Sequence, residues 1–338
     1  MGYQLTRLQA DEIFSRLKEQ YEVWAPMVMA GEGCFSDTDI IRYGNPETLD
    51  GIEWEKKSDY SFKEVLIAIN ETLFYFTEDQ TIVPKGPEKE ILVFLRSCDL
   101  CAVKRLDQIY LKNGDPDFYY SRVREKVHFI LMGCPESCKS GFCVSMGSNH
   151  AENYDAYLKL DGDQVLADVK DETLAAFFAE GAAADVVPDY VTENREKVTL
   201  PKKLSHESFT LDIWKEYGGR CIGCGRCNFV CPTCTCYTMQ DVYYTENGKV
   251  GERRRVGASC MVDGYTNVAG GGQYRRTKGE RMRFKVLHKI FDFRKRFGYD
   301  MCVGCGRCDM VCPEYISFSA CINKVAKAVE EEVSNGSN

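Results

Sequence analysis

The fold of the C-terminal part of the chain is decided by a duplicated stretch, Cys221-Ile-Gly-Cys-Gly-Arg-Cys-Asn-Phe-Val-Cys-Pro232 and Cys302-Val-Gly-Cys-Gly-Arg-Cys-Asp-Met-Val-Cys-Pro313. The two copies agree at nine of twelve positions. The spacing C-x-x-C-x-x-C lets a tight loop surround three corners of an iron–sulfur cubane. Glycines between the cysteines avoid Cβ clashes, so backbone N–H groups can approach the sulfurs. The stretch therefore predicts two [4Fe–4S] sites.

The fourth cysteine of each copy is followed by proline, and in two-cluster ferredoxins such a cysteine binds the other cluster. This family geometry predicts crossed ligand sets. The first set is Cys221, Cys224, Cys227 and Cys312, and the second is Cys302, Cys305, Cys308 and Cys231. Zinc is the alternative, because C-x-x-C pairs also make structural zinc sites. Zinc ribbons use two pairs, however, and not a triplet with a distant Cys-Pro twice over.

Composition favours metal ligation over disulfides. The chain has 338 residues, 18 cysteines and a net charge of −8, and it contains no stretch of eighteen apolar residues that could span a bilayer. Its first ten residues lack the basic start and apolar core of a secretory signal. We therefore expect a cytoplasmic protein without a membrane span. Because structural disulfides are rare in that compartment, thiolate ligands explain the cysteines better.

The length predicts two domains, with an α+β fold overall. We expect an α/β domain over residues 1–205 and an α-helical ferredoxin-type domain with two [4Fe–4S] clusters over residues 206–338. In the first domain, the apolar runs 91–95 and 127–132 are typical of strands buried on both faces, and the helical spacing of 100–111 between them predicts a β-α-β unit.

The two cysteine motifs begin 81 residues apart, and we expect the insert between them to be largely helical. Apolar residues recur at helical spacing from Arg281 to Phe297, which predicts one face of a long helix. The C-terminal domain therefore resembles the α-helical ferredoxins of respiratory reductases more than the compact, β-rich ferredoxins.

Five further cysteines follow the two predicted strands of the β-α-β unit. Since the carboxyl ends of parallel strands share one edge of a sheet, these cysteines are expected to converge there. We expect a third [4Fe–4S] site held by Cys98, Cys134, Cys138 and Cys143, with Cys101 as an alternative ligand. Buried structural cysteines and a zinc site are the competing interpretations.

Other cofactor motifs are missing from the sequence. No C-x5-C precedes Cys134-x-x-x-Cys138, so a siroheme on this chain is not expected, and no G-x-G-x-x-G follows a strand to bind a nicotinamide or flavin. We therefore predict an electron carrier with no catalytic residues of its own. The spare thiols of Cys101, Cys234 and Cys236 leave open a thiol-based sulfur or disulfide reductase.

The segment from Lys249 to Asp300 is basic, with fourteen Lys and Arg against five Asp and Glu. It has neither a nucleic-acid recognition motif nor an aromatic stacking platform, so we expect no nucleic-acid partner. Two interpretations stay open. The charges form either a solvated helix face or a docking surface for an acidic partner.

Four segments precede the duplicated motif, and their order together with that motif carries a family resemblance. The segments are Arg96-Ser-Cys98-Asp-Leu100, Gly133-Cys134, Phe142-Cys143-Val-Ser-Met-Gly147 and Tyr154-Asp155. The sequence resembles the iron–sulfur subunit of anaerobic sulfite reductases, and it is similar also to the beta subunit of cytoplasmic sulfur-reducing Ni–Fe hydrogenases. It departs from the hydrogenase pattern where Arg-Pro-Cys becomes Arg96-Ser-Cys98 and Cys-Phe-Cys becomes Gly141-Phe-Cys143.

The resemblance implies a non-catalytic iron–sulfur subunit of an oxidoreductase complex. In the sulfite reductase family, such a subunit relays electrons from a flavin- and NADH-binding partner to a siroheme-bearing catalytic partner that reduces sulfite to sulfide. The hydrogenase resemblance implies the same relay role in a sulfur-reducing hydrogenase, which is the alternative function.

Overall fold

The computed structural model describes residues 1–33, 37–201 and 204–335. They form two compact units that alternate along the chain. The first unit comprises Met1–Ser137, Asn149–Thr192 and Met239–Arg255, and the second comprises Cys138–Ser148, Glu193–Thr238 and Val256–Asn338. The sequence suggests a single boundary between residues 205 and 206. The division differs from it because two segments pack with partners far away in the sequence, as described below.

The strands lie mainly in the first half of the chain. In chain order they are β1 (Gly2–Thr6), β2 (Tyr21–Met29), β3 (Ile40–Gly44), β4 (Asn70–Phe76), β5 (Thr81–Ile82), β6 (Glu90–Leu95), β7 (Val127–Met132), β8 (Ala156–Asp161), β9 (Gln164–Val169), β10 (Ala182–Ala183), β11 (Tyr237–Tyr243), β12 (Gly251–Gly257), β13 (Asn267–Val268) and β14 (Gly272–Gln273). The α-helices are α1 (Arg7–Gln20), α2 (Lys63–Leu66), α3 (Ser97–Tyr110), α4 (Phe118–Arg124), α5 (Glu172–Ala175), α6 (Ile213–Arg220), α7 (Arg226–Phe229), α8 (Lys278–Leu287), α9 (Phe293–Phe297), α10 (Arg307–Met310) and α11 (Phe318–Asn335).

An eight-stranded mixed sheet organises the first unit, in the order β10-β1-β9-β8-β7-β6-β2-β3. Its four central strands β2, β6, β7 and β8 pair in parallel, with Leu92 opposite His128 in the β6–β7 pair. The predicted β-α-β unit is therefore present, with α3 following β6. Strands buried on both faces read as continuous apolar runs, which is why the sequence identifies β6 and β7.

The hairpin of β8 and β9 belongs to the same sheet, and the helix α1 packs against the sheet. Gly162, at φ 60°, lies in the two-residue turn between Asp161 and Gln164. The helix α1 begins with a capping box of Thr6 and Gln9. Its buried side chains pack in the same core as the sheet residues; they are Ala10, Ile13, Phe14 and Leu17.

The expectation of a largely helical insert between the cysteine motifs is wrong for the first half of the insert. Strands β11 and β12 enter a four-stranded sheet in the order β11-β12-β4-β5, and residues 239–255 belong to the first unit. Buried Arg255 pairs with Glu71 at 2.7 Å in this unit. The local signal was Asn247-Gly248, a turn pair typical of hairpins, in which Gly248 has φ 68°.

The second unit is built mainly from helices. The predicted long helix is present as α8 and α9, joined by a π-helical segment over His288–Asp292. Met282, Val286 and Ile290 on this helix are buried in one core with α6 and α11. The unit also contains the short strands β13 and β14, so the α-helical ferredoxin type stays a prediction. Within the described ranges, no helix is both long and apolar enough to cross a membrane.

Candidate metal centres

Four cysteines of the first predicted set line one cavity of the second unit. Cys221, Cys224 and Cys227 come from the loop before α7 and the start of α7, and Cys312 follows α10. The cavity measures about 510 Å³, including its open mouth, and Cys308 also lies on its wall. One motif therefore supplies three cysteines to this cavity, and the other motif supplies Cys312, from its Cys-Pro, together with Cys308.

A second cavity has the reciprocal lining. Cys302, Cys305 and Cys308 of the second motif face it together with Cys231 of the first, and its volume is about 360 Å³. Cys227 lies on its wall as well. The structure thus brings together the members of each predicted set, with Cys227 and Cys308 lining both cavities. Eight converging thiols are the donor set that two four-iron cubanes require, so the residues fit the predicted clusters.

Backbone geometry in the two motifs follows from their glycines. Gly223 and Gly225 have φ of 75° and 78°, and Gly304 and Gly306 have φ of 61° and 70°. This left-handed region favours glycine, because other L residues clash there. The turn aims backbone donors at sulfur, since the Gly223 N–H donates to Cys221 Sγ at 3.4 Å and the Gly304 N–H donates to Cys302 Sγ at 3.4 Å. Such donors stabilise thiolate ligands.

A loop over Cys138–Ser148 covers the second motif within the second unit. The Phe142 N–H donates to the Gly304 carbonyl at 2.7 Å, and the buried Ser148 hydroxyl donates to the Val303 carbonyl at 2.6 Å. The approach is close, because a Cβ added to Gly306 would lie 2.0 Å from the Ser140 carbonyl oxygen. These contacts explain why the loop belongs to the second unit although the sequence places it in the first domain.

The two motifs differ in exposure. In the first, Cys224 and Arg226 are exposed, and Ile222 is 53 % exposed at the wall of its cavity. In the second, Cys302 and Cys305 are buried. Arg307, the counterpart of Arg226, is only 1 % exposed.

Two lysines that the sequence interpretation assigned to a solvated or docking surface are buried at the cavities. Lys285 is 4 % exposed and Lys289 is 3 % exposed. Lys285 lines both cavities, and Lys289 lines the second. The missed signal was their spacing, since each lies three residues after an apolar position of the buried helix face, Met282 or Val286.

Nearby cysteine sulfurs raise the pKa of both lysines. Burial by itself would lower the pKa of Lys285, but the sulfurs of Cys227, Cys308 and Cys234 raise it well above its ordinary value. Burial likewise opposes charge on Lys289, yet nearby cysteine sulfurs, Cys231 first among them, raise its pKa. Two fixed cations therefore accompany the eight thiols.

Other basic residues of the segment 249–300 are paired inside their own unit. Arg281 pairs with Asp263 at 2.5 Å, and Arg294 donates to Asp300 at 2.9 Å. Some of the basic side chains that the sequence suggested for docking an acidic partner are therefore already paired within the chain.

The cysteines of the predicted third site are divided between the units. Cys98 and Cys134 are buried in the first unit, where the Arg96 guanidinium lies 3.6 Å from Cys134 Sγ. Cys138 and Cys143 belong to the second unit. The alternative ligand Cys101 lies in the first unit, and its thiol donates to the His150 carbonyl at 3.5 Å. A third cluster stays a prediction.

Spare cysteines of the second unit lie close together. The Asn228 amide donates to Cys260 Sγ at 3.1 Å. A hydrogen bond from the Cys260 thiol lowers the pKa of Cys236 to about 6. The hydrogen bond from Cys260 therefore favours the thiolate form of Cys236, one of the spare thiols that the sequence offers.

Comparison with known proteins agrees with this chemistry. Residues 220–316 match the family model described as a 4Fe-4S dicluster domain. Sulfhydrogenase 2 subunit beta of Pyrococcus furiosus is 29 % identical over an alignment of 343 positions, which covers 94 % of this chain and 96 % of that protein. No solved structure matches.

The dicluster domain and its thiol-lined cavities define the class: this chain is an iron–sulfur electron-transfer protein that binds [4Fe–4S] clusters. It is similar to the beta subunit of a sulfhydrogenase over nearly its whole length, as the hydrogenase resemblance predicted. The resemblance to the iron–sulfur subunit of sulfite reductases stays a prediction.

Proposed function

We propose that this chain is the electron-relay subunit of a hetero-oligomeric oxidoreductase, and that its crossed cysteine sets hold two [4Fe–4S] clusters. The observation that carries the proposal is the pair of cavities that share Cys227 and Cys308 on their walls. A [4Fe–4S] cluster, when bound, accepts and releases single electrons at a potential set by its surroundings. Two sites with a common wall satisfy the short separation that electron transfer requires.

In this proposal the two sites have different roles, because the side chains around them differ in exposure. The first cavity opens beside exposed Cys224 and Ile222, so it suits electron exchange with a partner protein. The second lies behind buried Cys302 and Cys305, which excludes water and keeps the inner site from side reactions with solvent. The chain contributes no catalytic residue, and a partner carries the terminal chemistry.

Two kinds of complex are candidates. The hydrogenase type is supported by the near full-length similarity to sulfhydrogenase 2 subunit beta. The sulfite reductase type is supported by Arg96-Ser-Cys98 and Gly141-Phe-Cys143, where the sequence departs from the hydrogenase pattern. In that type, a flavin- and NADH-binding partner supplies electrons, and a siroheme partner reduces sulfite to sulfide.

Purification of the complex under anaerobic conditions through a tag on this chain tests the proposal. Co-purified subunits with NADH-dependent sulfite reduction support the sulfite reductase type, whereas bound nickel with hydrogen-dependent dye reduction supports the hydrogenase type. The isolated chain is the control. If it alone reduces sulfite or polysulfide with an artificial donor, the relay proposal fails and a thiol-based reductase replaces it.

Iron and acid-labile sulfide per chain test the cluster number. Two clusters correspond to about eight iron and three to about twelve, at four per cubane. The higher value would support the third site predicted from Cys98, Cys134, Cys138 and Cys143.

A further inference from the structure

Lys285 and Lys289 are two buried lysines of the second unit without a carboxylate partner in the part of the chain that the structure describes. Among the residues that the structure describes, neither lysine forms a salt bridge, although both are almost fully buried. Burial of an unpaired ammonium group is costly, and proteins normally compensate it with an opposite charge. Their location beside two sets of cysteines indicates which negative charge compensates them.

The two lysines contact the cavities differently. Lys285 lies on the walls of both cavities, as does Cys227. Lys289 lies on the wall of the second cavity only, and its ammonium donates to Thr233 Oγ1 at 2.9 Å.

The helix that carries the lysines is fixed to the second motif by its backbone. The Lys289 carbonyl accepts hydrogen bonds from the N–H groups of Met301, at 2.9 Å, and Cys302, at 3.3 Å. Lys289 is the second residue of the π-helical segment, a distortion that is frequent at functional sites. The charge is therefore held in place and not on a mobile side chain at the surface.

The acidic side chain of Asp309 also lines the first cavity, but it forms no ion pair with the lysines among the described residues. Its carboxylate accepts a hydrogen bond from the Phe318 N–H at 2.8 Å.

We propose that Lys285 and Lys289 are positioning residues that set the reduction potentials of the two sites, and that they hold the second site at the more positive potential. The inference rests on the proposed function, because it requires clusters in both cavities. Four thiolates outweigh the positive charge of the iron–sulfide core, and reduction adds one more electron. A fixed cation therefore favours the reduced form. The second cavity has two such cations, and the first has one.

Redox titration of the anaerobic full-length holoprotein, monitored by electron paramagnetic resonance, tests the proposal. Lys289→Met should lower the potential of the second site alone, and Lys285→Met should lower both. The expected change at fixed ambient potential is at least about tenfold in the ratio of reduced to oxidised cluster, which is about 59 mV for a one-electron couple. Cys224→Ser, which perturbs the first site, assigns the two signals.

Matched controls separate charge from structure. Lys295→Met removes an exposed lysine from the same helix and should leave both potentials unchanged. Lys285→Arg and Lys289→Arg keep the charge and should restore the potentials of the Met variants toward the wild-type values. Where a Met variant loses iron, the corresponding Gln variant, which keeps a polar group, is titrated instead.

The outcomes distinguish this inference from the function on which it rests. Fully loaded Met or Gln variants with wild-type potentials would overturn the lysine proposal and leave the relay function intact. A wild-type chain without any [4Fe–4S] signal after anaerobic reconstitution would overturn both. A Lys289 variant that shifts the first site as strongly as the second would also contradict the proposal.

Discussion

The two copies of the cysteine motif are alike in sequence and different in their surroundings. Both turn through two glycines in the left-handed region and continue into a short helix, α7 or α10. Yet the first copy exposes Cys224 and Arg226, while the second buries Cys305 and Arg307. Local sequence thus fixes the loop that holds a cluster, and residues elsewhere in the unit decide whether solvent and partners can reach it.

The cover over the second copy comes from the segment Cys138–Ser148, which precedes it by more than 150 residues. Nothing comparable covers the mouth of the first cavity among the described residues, where Ile222 is half exposed. This difference in exposure supports our proposal that the first site, the outer one, exchanges electrons with a partner and that the second, inner site is protected from solvent. The following variants test this difference, from the largest expected effect to the smallest.

Loss of a buried ligand should have the largest effect. Cys305→Ser is expected to remove the inner cluster, so iron should fall by about four per chain. The matched variant Cys224→Ser lies at the open site, where water or the new hydroxyl can complete the coordination, and we expect a smaller loss of iron with an altered spectrum. Iron analysis and electron paramagnetic resonance check both. Equal losses from the two variants would contradict the assignment of inner and outer sites.

The second glycine of each motif offers a matched pair of backbone tests. Gly306→Ala should destabilise the protein by about 3 kcal/mol or more, since its Cβ would meet the Ser140 carbonyl at 2.0 Å in addition to the strain of positive φ. Gly225→Ala should cost about 1–2 kcal/mol, because its closest neighbour is the Val262 side chain at 2.8 Å, which can move. Thermal unfolding of the holoproteins measures both. A larger loss for Gly225→Ala would show that the cover does not constrain the second motif.

Removal of one hydrogen bond in the cover should have a moderate effect. Ser148→Ala leaves the buried Val303 carbonyl without its donor at 2.6 Å, which should cost about 1–3 kcal/mol. The matched control, Ser259→Ala, removes a buried hydroxyl near the first motif that accepts from the Met261 N–H at 3.2 Å, and we expect a cost nearer ~1 kcal/mol. The rate of iron loss from the inner site should rise only in the first variant. A chelator assay on both proteins gives the comparison.

Chelation of the wild-type protein should show the smallest effect, a difference between the rates at which the two sites lose iron. An iron chelator applied under mild oxidation should remove iron in two phases, and the faster phase should belong to the first site, because Cys224 is exposed. Spectra recorded during chelation identify the cluster that remains. A single phase, or faster loss of the second cluster, would mean that the difference in exposure has no chemical consequence.

The sequence predicts well those features that depend on local spacing. The strands β6 and β7 are specified by apolar runs, and the turns of the two cysteine motifs by glycines, so in both cases the determining residues lie close together in the chain. In contrast, the hairpin of β11 and β12 joins a sheet with β4, and the bond between Glu252 and Thr72 connects residues 180 positions apart. No local pattern specifies such a partner, so the interleaving of the two units could not be predicted.

The burial of two lysines is the second feature that the sequence analysis did not predict. Lys285 and Lys289 lie in a basic segment, and lysines are almost never buried unless they are paired. Their partners are cysteines from both motifs, which converge only in the folded unit. A helical plot places the two lysines beside the apolar face of the helix. The structure adds the cysteine sulfurs around the two cavities, which favour a positive charge at these buried positions.

Crossed ligation is the central claim, and Cys231→Ser tests it most directly. Cys231 lies in the first motif, but it lines the second cavity together with Cys302, Cys305 and Cys308. Electron paramagnetic resonance of the reduced variant, with the signals assigned through Cys224→Ser and Cys305→Ser, should show loss or change of the inner-site signal and an intact outer-site signal. Loss of the outer-site signal with an intact inner site would mean that each motif binds its own cluster, which would contradict the account.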